Sequence, residues 1–527
     1  MAAGVGRPLR AALRRHEQEL LLALAAAALC AVSVAPFASL LAREGAAWWD
    51  ASMRLSSGAL ALLLRSLVLS MVVTFLALAL GVPLGVLVGR TDVRGFWSAS
   101  LLHAFPCFLP PFLLALGWFH LFGVSGRLGS EATSRAFFSD AGLVFVLTLA
   151  FAPIATSLVA LGLQGVDPGL EEAARVVAKP SRVVTRILVP AAAPAWILAG
   201  IVIFTLSFSE LGVPMFLRVE TFPAAVFSRL GGVDYAPGEA LALVLPLVPL
   251  ALLLLAAERR FVGTRSFAVF GLRSGRPERL ALRHWGPPAS AALWLAAMVS
   301  VAPIAALAWR ALSGDGLAEA GRWMGRAPWN SLSSSAVAAT AIIGIGLVVG
   351  HAAARRLRGA AVLDAAAVLA FVAPAAILGI GLIGLWNRPA LQWVYGSTGI
   401  LVVGYVARYA VIGVRTIGSL VAQTPLHVED AAAAAGAGSW RRLTRILVPM
   451  HARGIGFAWL LALVFCLRDL ELGVLYYPPG GEPLTVRIFT LEANGPVPVV
   501  AALAVVHVTM TAAVLGVGGF LLRRGAA

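Results

Sequence analysis

The sequence predicts an all-α polytopic membrane protein of about 12 transmembrane helices in two tandem six-helix repeats. Of its 527 residues 60% are hydrophobic and only 13% charged, so in a soluble globule its long apolar runs would have no water-facing side. Many of those runs reach the roughly 20 residues that a helix rising about 1.5 Å per residue needs to cross a hydrocarbon core of about 30 Å. Motifs recur along the whole chain at a spacing of about 260 residues, which is the mark of a duplicated unit.

Twelve runs qualify as spans, near 19–42, 60–89, 98–123, 141–164, 189–209, 238–257, 287–309, 331–354, 360–386, 398–420, 450–475 and 498–522, with the seventh and ninth interrupted by proline. The first follows basic residues but is too long for a signal peptide, and no small-residue cleavage site stands out after Ala42. Loops near 124–140, 210–237, 310–330 and 476–497 are long enough to hold a small helix. Cys30, Cys107 and Cys466 all fall inside spans and fit packing, not a disulfide framework or a metal site.

The duplication is visible in particular residues. VSVAP stands at 32–36 and 299–303; Gly81 and Gly85 before Arg90 are echoed by Gly346 and Gly350 before Arg355; Pro110 answers Pro374; ELGV returns at 210–213 and 471–474. The boundary falls in the linker 258–286, giving a first repeat over 1–270 and a second over 271–527. The repeats are parallel, because an even number of spans separates equivalent positions.

A net charge of +16 invites a nucleic-acid reading, but the arginines sit where topology needs them. With the N-terminus inside, inside segments collect about 26 Lys/Arg and outside segments about 12, so both termini are expected in the cytosol, with no nucleic-acid partner.

The second signal is a loop that occurs twice, between the fourth and fifth spans of each repeat, over 165–190 and 422–449. TRILVP runs from Thr185 to Pro190 and again from Thr444 to Pro449. Ahead of each copy lies an acidic-alanine stretch, EEAARVVAKPSRVV at 171–184 and EDAAAAAGAGSWRRL at 429–443. Asp167-Pro168 and Thr424-Pro425 each offer an N-cap side chain followed by proline at the first helical position. Glu171, Glu172, Glu429 and Asp430 then place negative charge near the positive end of the helix dipole. Ala173 and Ala174, like Ala431 and Ala432, keep one helix face slim, and Gly436 is free to adopt a backbone angle that alanine resists.

This pattern resembles the coupling loop of binding-protein-dependent ABC importer permeases, in which an acidic-Ala-Ala helix turns at a glycine into a second short helix. The match is close in the second repeat. In the first, Ala178 holds the glycine position and one residue is missing before Pro190. The resemblance implies a type I importer fold with both permease halves fused. It also implies that a dimeric ABC ATPase docks on Glu171, Glu172, Ala173, Ala174, Ala178, Lys179 and Arg182 and on Glu429, Asp430, Ala431, Ala432, Gly436 and Arg441. ATP and Mg would be bound by that ATPase, and a solute-binding protein would deliver cargo from outside. The chain's single lysine, Lys179, lies in ARVVAKPS, which lacks the glycines of a phosphate-binding loop, so no ATPase site is expected here.

Charged residues inside the spans are the remaining candidates, since intramembrane charge is costly and must face the bundle interior or water. Arg408 and Arg415 lie on one face of the tenth span; Asp364 opens the ninth; Arg468, Asp469 and Glu471 cluster at the end of the eleventh. Arg408 reads either as a structural ion pair or as part of a solute path, and Arg415 as a pair member or as a side chain snorkelling to the interface. Glu210 and Glu471 recur before LGV in both repeats, so they either meet near the axis between the halves or face outside water. The expected pathway residues are Glu210, Arg408, Asp469 and Glu471. Single histidines without ligand spacing predict no metal site, and no catalytic constellation can be assembled, so no resident cofactor is expected.

Fused chains of this kind with ELGV-type span ends are most similar to ferric-iron importers, with thiamine importers next. Carboxylates suit a hard cation. A secondary carrier with two six-span halves accounts for the spans and the repeat but leaves the paired loops unexplained, and a membrane enzyme has nothing to recommend it.

Overall fold

A computed structural model describes residues 6–39, 42, 57–93, 95–166, 173, 174, 176, 178–231, 253, 256, 257, 260, 280, 282–373 and 375–524. The fold is all-α. Among the described residues the one β feature is an isolated bridge between Thr91 and Leu280.

The first repeat contains α1 (Gly6–Leu29, continued by a wider turn over Cys30–Val34), α2 (Ser57–Arg90), α3 (Phe96–Ala104), α4 (Pro111–Phe122), α5 (Glu131–Phe137), α6 (Asp140–Gln164), α7 (Pro180–Val183), α8 (Ala193–Ser209), α9 (Gly212–Leu217) and α10 (Phe222–Gly231). The second contains α11 (Gly286–Leu312), α12 (Gly316–Met324), α13 (Ala327–Ala354), α14 (Ala360–Val372), α15 (Ala375–Trp386), α16 (Gln392–Tyr395), α17 (Gly399–Ala422), α18 (Leu426–Ala434), α19 (Ser439–Arg442), α20 (Ala452–Leu467), α21 (Gly473–Tyr476), α22 (Leu484–Asn494) and α23 (Val497–Arg524). All four loops expected to hold a small helix do so, as α5, α9 with α10, α12 and α22.

Among the described residues seven helices are long and apolar enough to cross a membrane, or eleven when four bent pairs each count as one span. These eleven coincide with the expected spans except the sixth, 238–257, which lies almost wholly outside the described residues. The ninth span was expected to be interrupted and is; the bends in the third, fifth and eleventh were not expected. The third expected span breaks by 109° between α3 and α4, and the ninth by 110° between α14 and α15. Leu109 and Pro110 are extended there, because proline crowds the residue before it out of helical geometry. The fifth and eleventh bend by 61° and 88°, at Ala192 and His451. The seventh, expected to be interrupted, runs unbroken through Pro303 as α11.

Packing explains the repeated small residues. In each repeat the second span lies against the fourth, α2 on α6 and α13 on α17. At Gly81 a Cβ would come within 2.4 Å of Ala155, and at Gly346 within 2.5 Å of the Gly413 backbone, so both contacts need glycine. Outward, α2 presents a stripe of exposed Leu64, Val68, Met71 and Phe75, the surface that hydrocarbon tolerates and water does not.

VSVAP also finds its reason. The first helix of each repeat lies on the other repeat: α1 packs on α13 and α14, and α11 on α3 and α4. In one copy Ser33 donates to the Ala407 carbonyl at 3.2 Å; in the other Ser300 hydrogen-bonds His103 at 2.9 Å. The Pro36 carbonyl sits against Gly381 and the Pro303 carbonyl against Gly117, each at a distance that excludes a side chain.

Candidate coupling loops and axial site

In the second loop, α18 starts after Pro425, whose backbone is extended (φ −60°, ψ 139°) and which itself occupies the cap position. Thr424 therefore does not cap the helix as expected; its hydroxyl lies 2.6 Å from His451 Nε2. At the other end Gly436 adopts φ +98°. Its N–H donates to the Ala433 carbonyl at 3.1 Å and that of Ala437 to Ala432 at 3.0 Å, the paired bonds of a glycine-terminated helix. The glycine expected at the turn makes the turn.

Glu429 points inward. It is buried, with Arg355 Nε donating to Oε1 at 2.8 Å and His351 Nε2 at 2.9 Å from Oε2. Burial pushes its carboxyl pKa up, but His351 and then Arg355 more than offset that and hold it at about 2. Asp430, Ala431, Gly436 and Arg441 are exposed, Ala432 is half-buried, and Leu426 and Trp440 present large apolar surface beside them. Glu429 thus pins the helix to α13, while its neighbours are exposed.

In the first loop Asp167, Pro168, Glu171 and Glu172 lie outside the described residues. Ala173 is exposed and Ala174 buried; the Ala178 N–H donates to the Ala174 carbonyl at 2.9 Å. Ala178 is half-buried and is not among the residues with positive φ, so the left-handed turn of the second loop is absent here. Lys179 and Arg182 are exposed. Both loops share one anchor that spacing alone did not disclose. Arg90 Nη2 donates to the Leu163 and Val166 carbonyls at 2.6 and 3.1 Å, and Arg355 Nη2 to Thr424 at 3.1 Å. In each repeat the arginine ending the second span satisfies carbonyls left open where the fourth span stops.

The four expected pathway residues come together. Glu210, Arg408, Asp469 and Glu471, with Tyr409 and Arg468, line one small cavity where the ends of α8 and α20 meet α17 and the break between α3 and α4. All of these side chains are buried. Arg408 pairs with Glu471 at 2.6 Å. Asp469 accepts from Tyr409 at 2.6 Å and from the Leu472 N–H at 2.9 Å. Glu210 accepts from the Val213 N–H at 3.3 Å, and Arg468 donates to the Cys107 carbonyl at 2.5 Å. The recurring carboxylates therefore share one cavity between the halves and do not face open water, and Arg408 is both paired and cavity-lining. Arg415 does not snorkel: its Nη2 donates to Asp364 at 2.7 Å. Tyr409, His351 and Arg355 carry no motif that marks them; only the echo of Arg90 by Arg355 was available as a signal. Among the described residues no group of three or more His, Cys, Asp or Glu is placed to hold a metal ion.

Fold, paired loops and axial cavity together have the form of an ABC importer permease, and the resemblance holds in comparison with known proteins. No family model matches the chain. It is 22% identical over 431 residues, 73% of its length, to a Haemophilus influenzae protein named for a ferric transport system permease, FbpB 1. It is 21% identical over 423 residues, again 73% of its length, to the ferric transport system permease protein FbpB of Actinobacillus pleuropneumoniae. The chain spans 65% and 60% of the lengths of these relatives. Over 141 residues, 26% of its length, it is 28% identical to a Salmonella paratyphi A protein named for a 2-aminoethylphosphonate transport system permease, PhnV. The similarity to ferric permeases extends across both repeats, as expected of the fused form.

Proposed function

We propose that the chain is the membrane-spanning subunit of an ATP-driven importer, passing a solute from an extracytoplasmic binding protein into the cytosol. A separate dimeric ATPase binds beneath the two coupling loops. The observation that carries this reading is the second loop: a short helix pinned inward by Glu429, closed by Gly436, with Asp430, Trp440 and Arg441 turned out. ATP and Mg belong to the partner. Both termini are cytosolic, and the membrane is the bacterial plasma membrane.

For the cargo we infer ferric iron. Glu210, Asp469 and Glu471 supply hard oxygen donors in one cavity, and each has another partner already, which suits transient contact better than capture. A second reading is favoured by Arg408 and Arg468. Guanidinium groups beside carboxylates would suit a zwitterion such as an aminoalkyl phosphonate. Thiamine and a secondary carrier gain no support from the relatives.

Membranes holding the chain, its ATPase and its binding protein should take up labelled ferric iron only with ATP. Uptake of aminoethylphosphonate without iron would select the second reading. Uptake driven by an ion gradient with no ATPase would sink the importer reading altogether.

A further inference from the structure

We infer that Glu17, on the first helix of the first repeat, is a positioning residue for the coupling loop of the second repeat. The transport consequence rests on the docking role proposed for that loop; the contact does not. The helical stretch 439–450 follows Gly438, and its first-turn amides have no partners within the helix. Glu17 supplies them. Its Oε2 accepts from the Ser439 N–H at 2.9 Å and its Oε1 from the Trp440 N–H at 3.3 Å, a carboxylate set on the positive end of the helix. Gly438 makes room for this, since a Cβ there would lie 2.5 Å from Glu17 Oε2. One turn further along α1, Leu21 and Leu22 line a small cavity with His351, Glu429 and Ser439, so the same stretch of α1 covers the Glu429 anchor as well.

The first repeat lacks the first of these two donors. At the 259-residue offset between Thr185 and Thr444 of the two TRILVP copies, Ser439 corresponds to Pro180, which has no N–H to satisfy. At the 267-residue offset between the VSVAP copies at 32 and 299, Glu17 corresponds to His284. The acid and the Ser439 amide occur together in one repeat, and both are replaced in the other. Because α1 belongs to the first repeat, movement between the halves is transmitted directly to the second docking helix.

The test uses the full chain, alone and then with its ATPase and binding protein. Hydrogen exchange at Ser439 and Trp440 should quicken about tenfold or more in Glu17→Ala, as for loss of a charge-assisted bond, and less in Glu17→Gln, while exchange in α17 stays unchanged. Gly438→Ala, which keeps the acid but crowds it, should quicken the same two amides. In the assembled system Glu17→Ala should lower solute moved per ATP severalfold with the ATPase still bound. Unchanged exchange in both Glu17→Ala and Gly438→Ala overturns the inference. Quickened exchange in a chain whose wild type binds no ATPase supports the positioning role and overturns the docking reading alone.

Discussion

The two coupling loops share TRILVP and an arginine anchor, yet their described residues are packed differently. The second is fixed by directional contacts: Glu429 to Arg355 and His351, Glu17 to two amides, and a left-handed glycine. In the first, Val86 stands where His351 does, counting from Gly85 and Gly350, and it packs in an apolar cluster with Val159, Leu163, Val166, Ala174, Val183 and Leu188. Apolar contacts are non-directional and yield gradually to substitution, whereas a buried ion pair fails as a unit. The second loop should therefore be the one that single substitutions can disable.

The largest effect is expected from Glu429→Ala. It strands the largely buried Arg355 guanidinium, a loss that typically costs about 3–5 kcal/mol. Proteolysis within 426–442 should become easy while cleavage near 178–190 does not change; equal cleavage at both loops would break the comparison. The acid dependence has a definite sign. The Glu429 carboxyl falls from its ordinary 4.5 to about 2, so its contribution is complete above pH 4.5 and lost as pH falls through about 2. The Glu429-dependent difference in protection between wild type and Glu429→Ala should shrink as pH falls below 4.5.

Next comes Gly436→Leu. A side chain forced to φ +98° costs about 1–3 kcal/mol and would open the turn that aims the second short helix. Transport should fall about tenfold or more at unchanged expression, since about 1.4 kcal/mol is a factor of ten. Retained transport would mean that the turn is not what couples the loop to its partner.

The axial cavity repeats the inequality on a smaller scale. Glu471 neutralises Arg408 at 2.6 Å, whereas Glu210 of the first repeat accepts from a main-chain amide. Glu471→Gln should slow uptake severalfold and Glu210→Gln about twofold. The double variant should still bind the ATPase. Loss of ATPase binding would make both carboxylates structural.

Span content, duplication and the glycine turn were legible because each depends on local composition: apolar length, an exact motif, and a glycine directly after an alanine run. The bends at 109° and 110° were only half legible, since Pro110 marks a break and Pro303 does not, and packing around each proline decides which. Glu17 and His351 were out of reach. Their partners lie 422 and 78 residues away in sequence, and nothing around an acid in RRHEQEL or a histidine in VVGHAAAR signals a distant amide or carboxylate. Glu429 was singled out by resemblance alone, and its inward direction follows from Arg355, which the sequence marked only as an echo.

The smallest effect should come from Ala178→Leu. Ala178 holds the position of Gly436 by alignment but not by conformation, since its φ is not positive and its N–H continues a helical bond to Ala174. Leucine there meets no left-handed strain, and the half-buried site leaves part of the side chain in solvent. Substitutions of this kind, away from a buried or strained feature, usually stay within about 0.5 kcal/mol. Uptake should drop no more than about twofold. A loss matching that of Gly436→Leu would show that the two loops bear on the ATPase equally in spite of their different anchoring. A rise in uptake with Ala178→Gly would show instead that the first loop's turn limits the cycle.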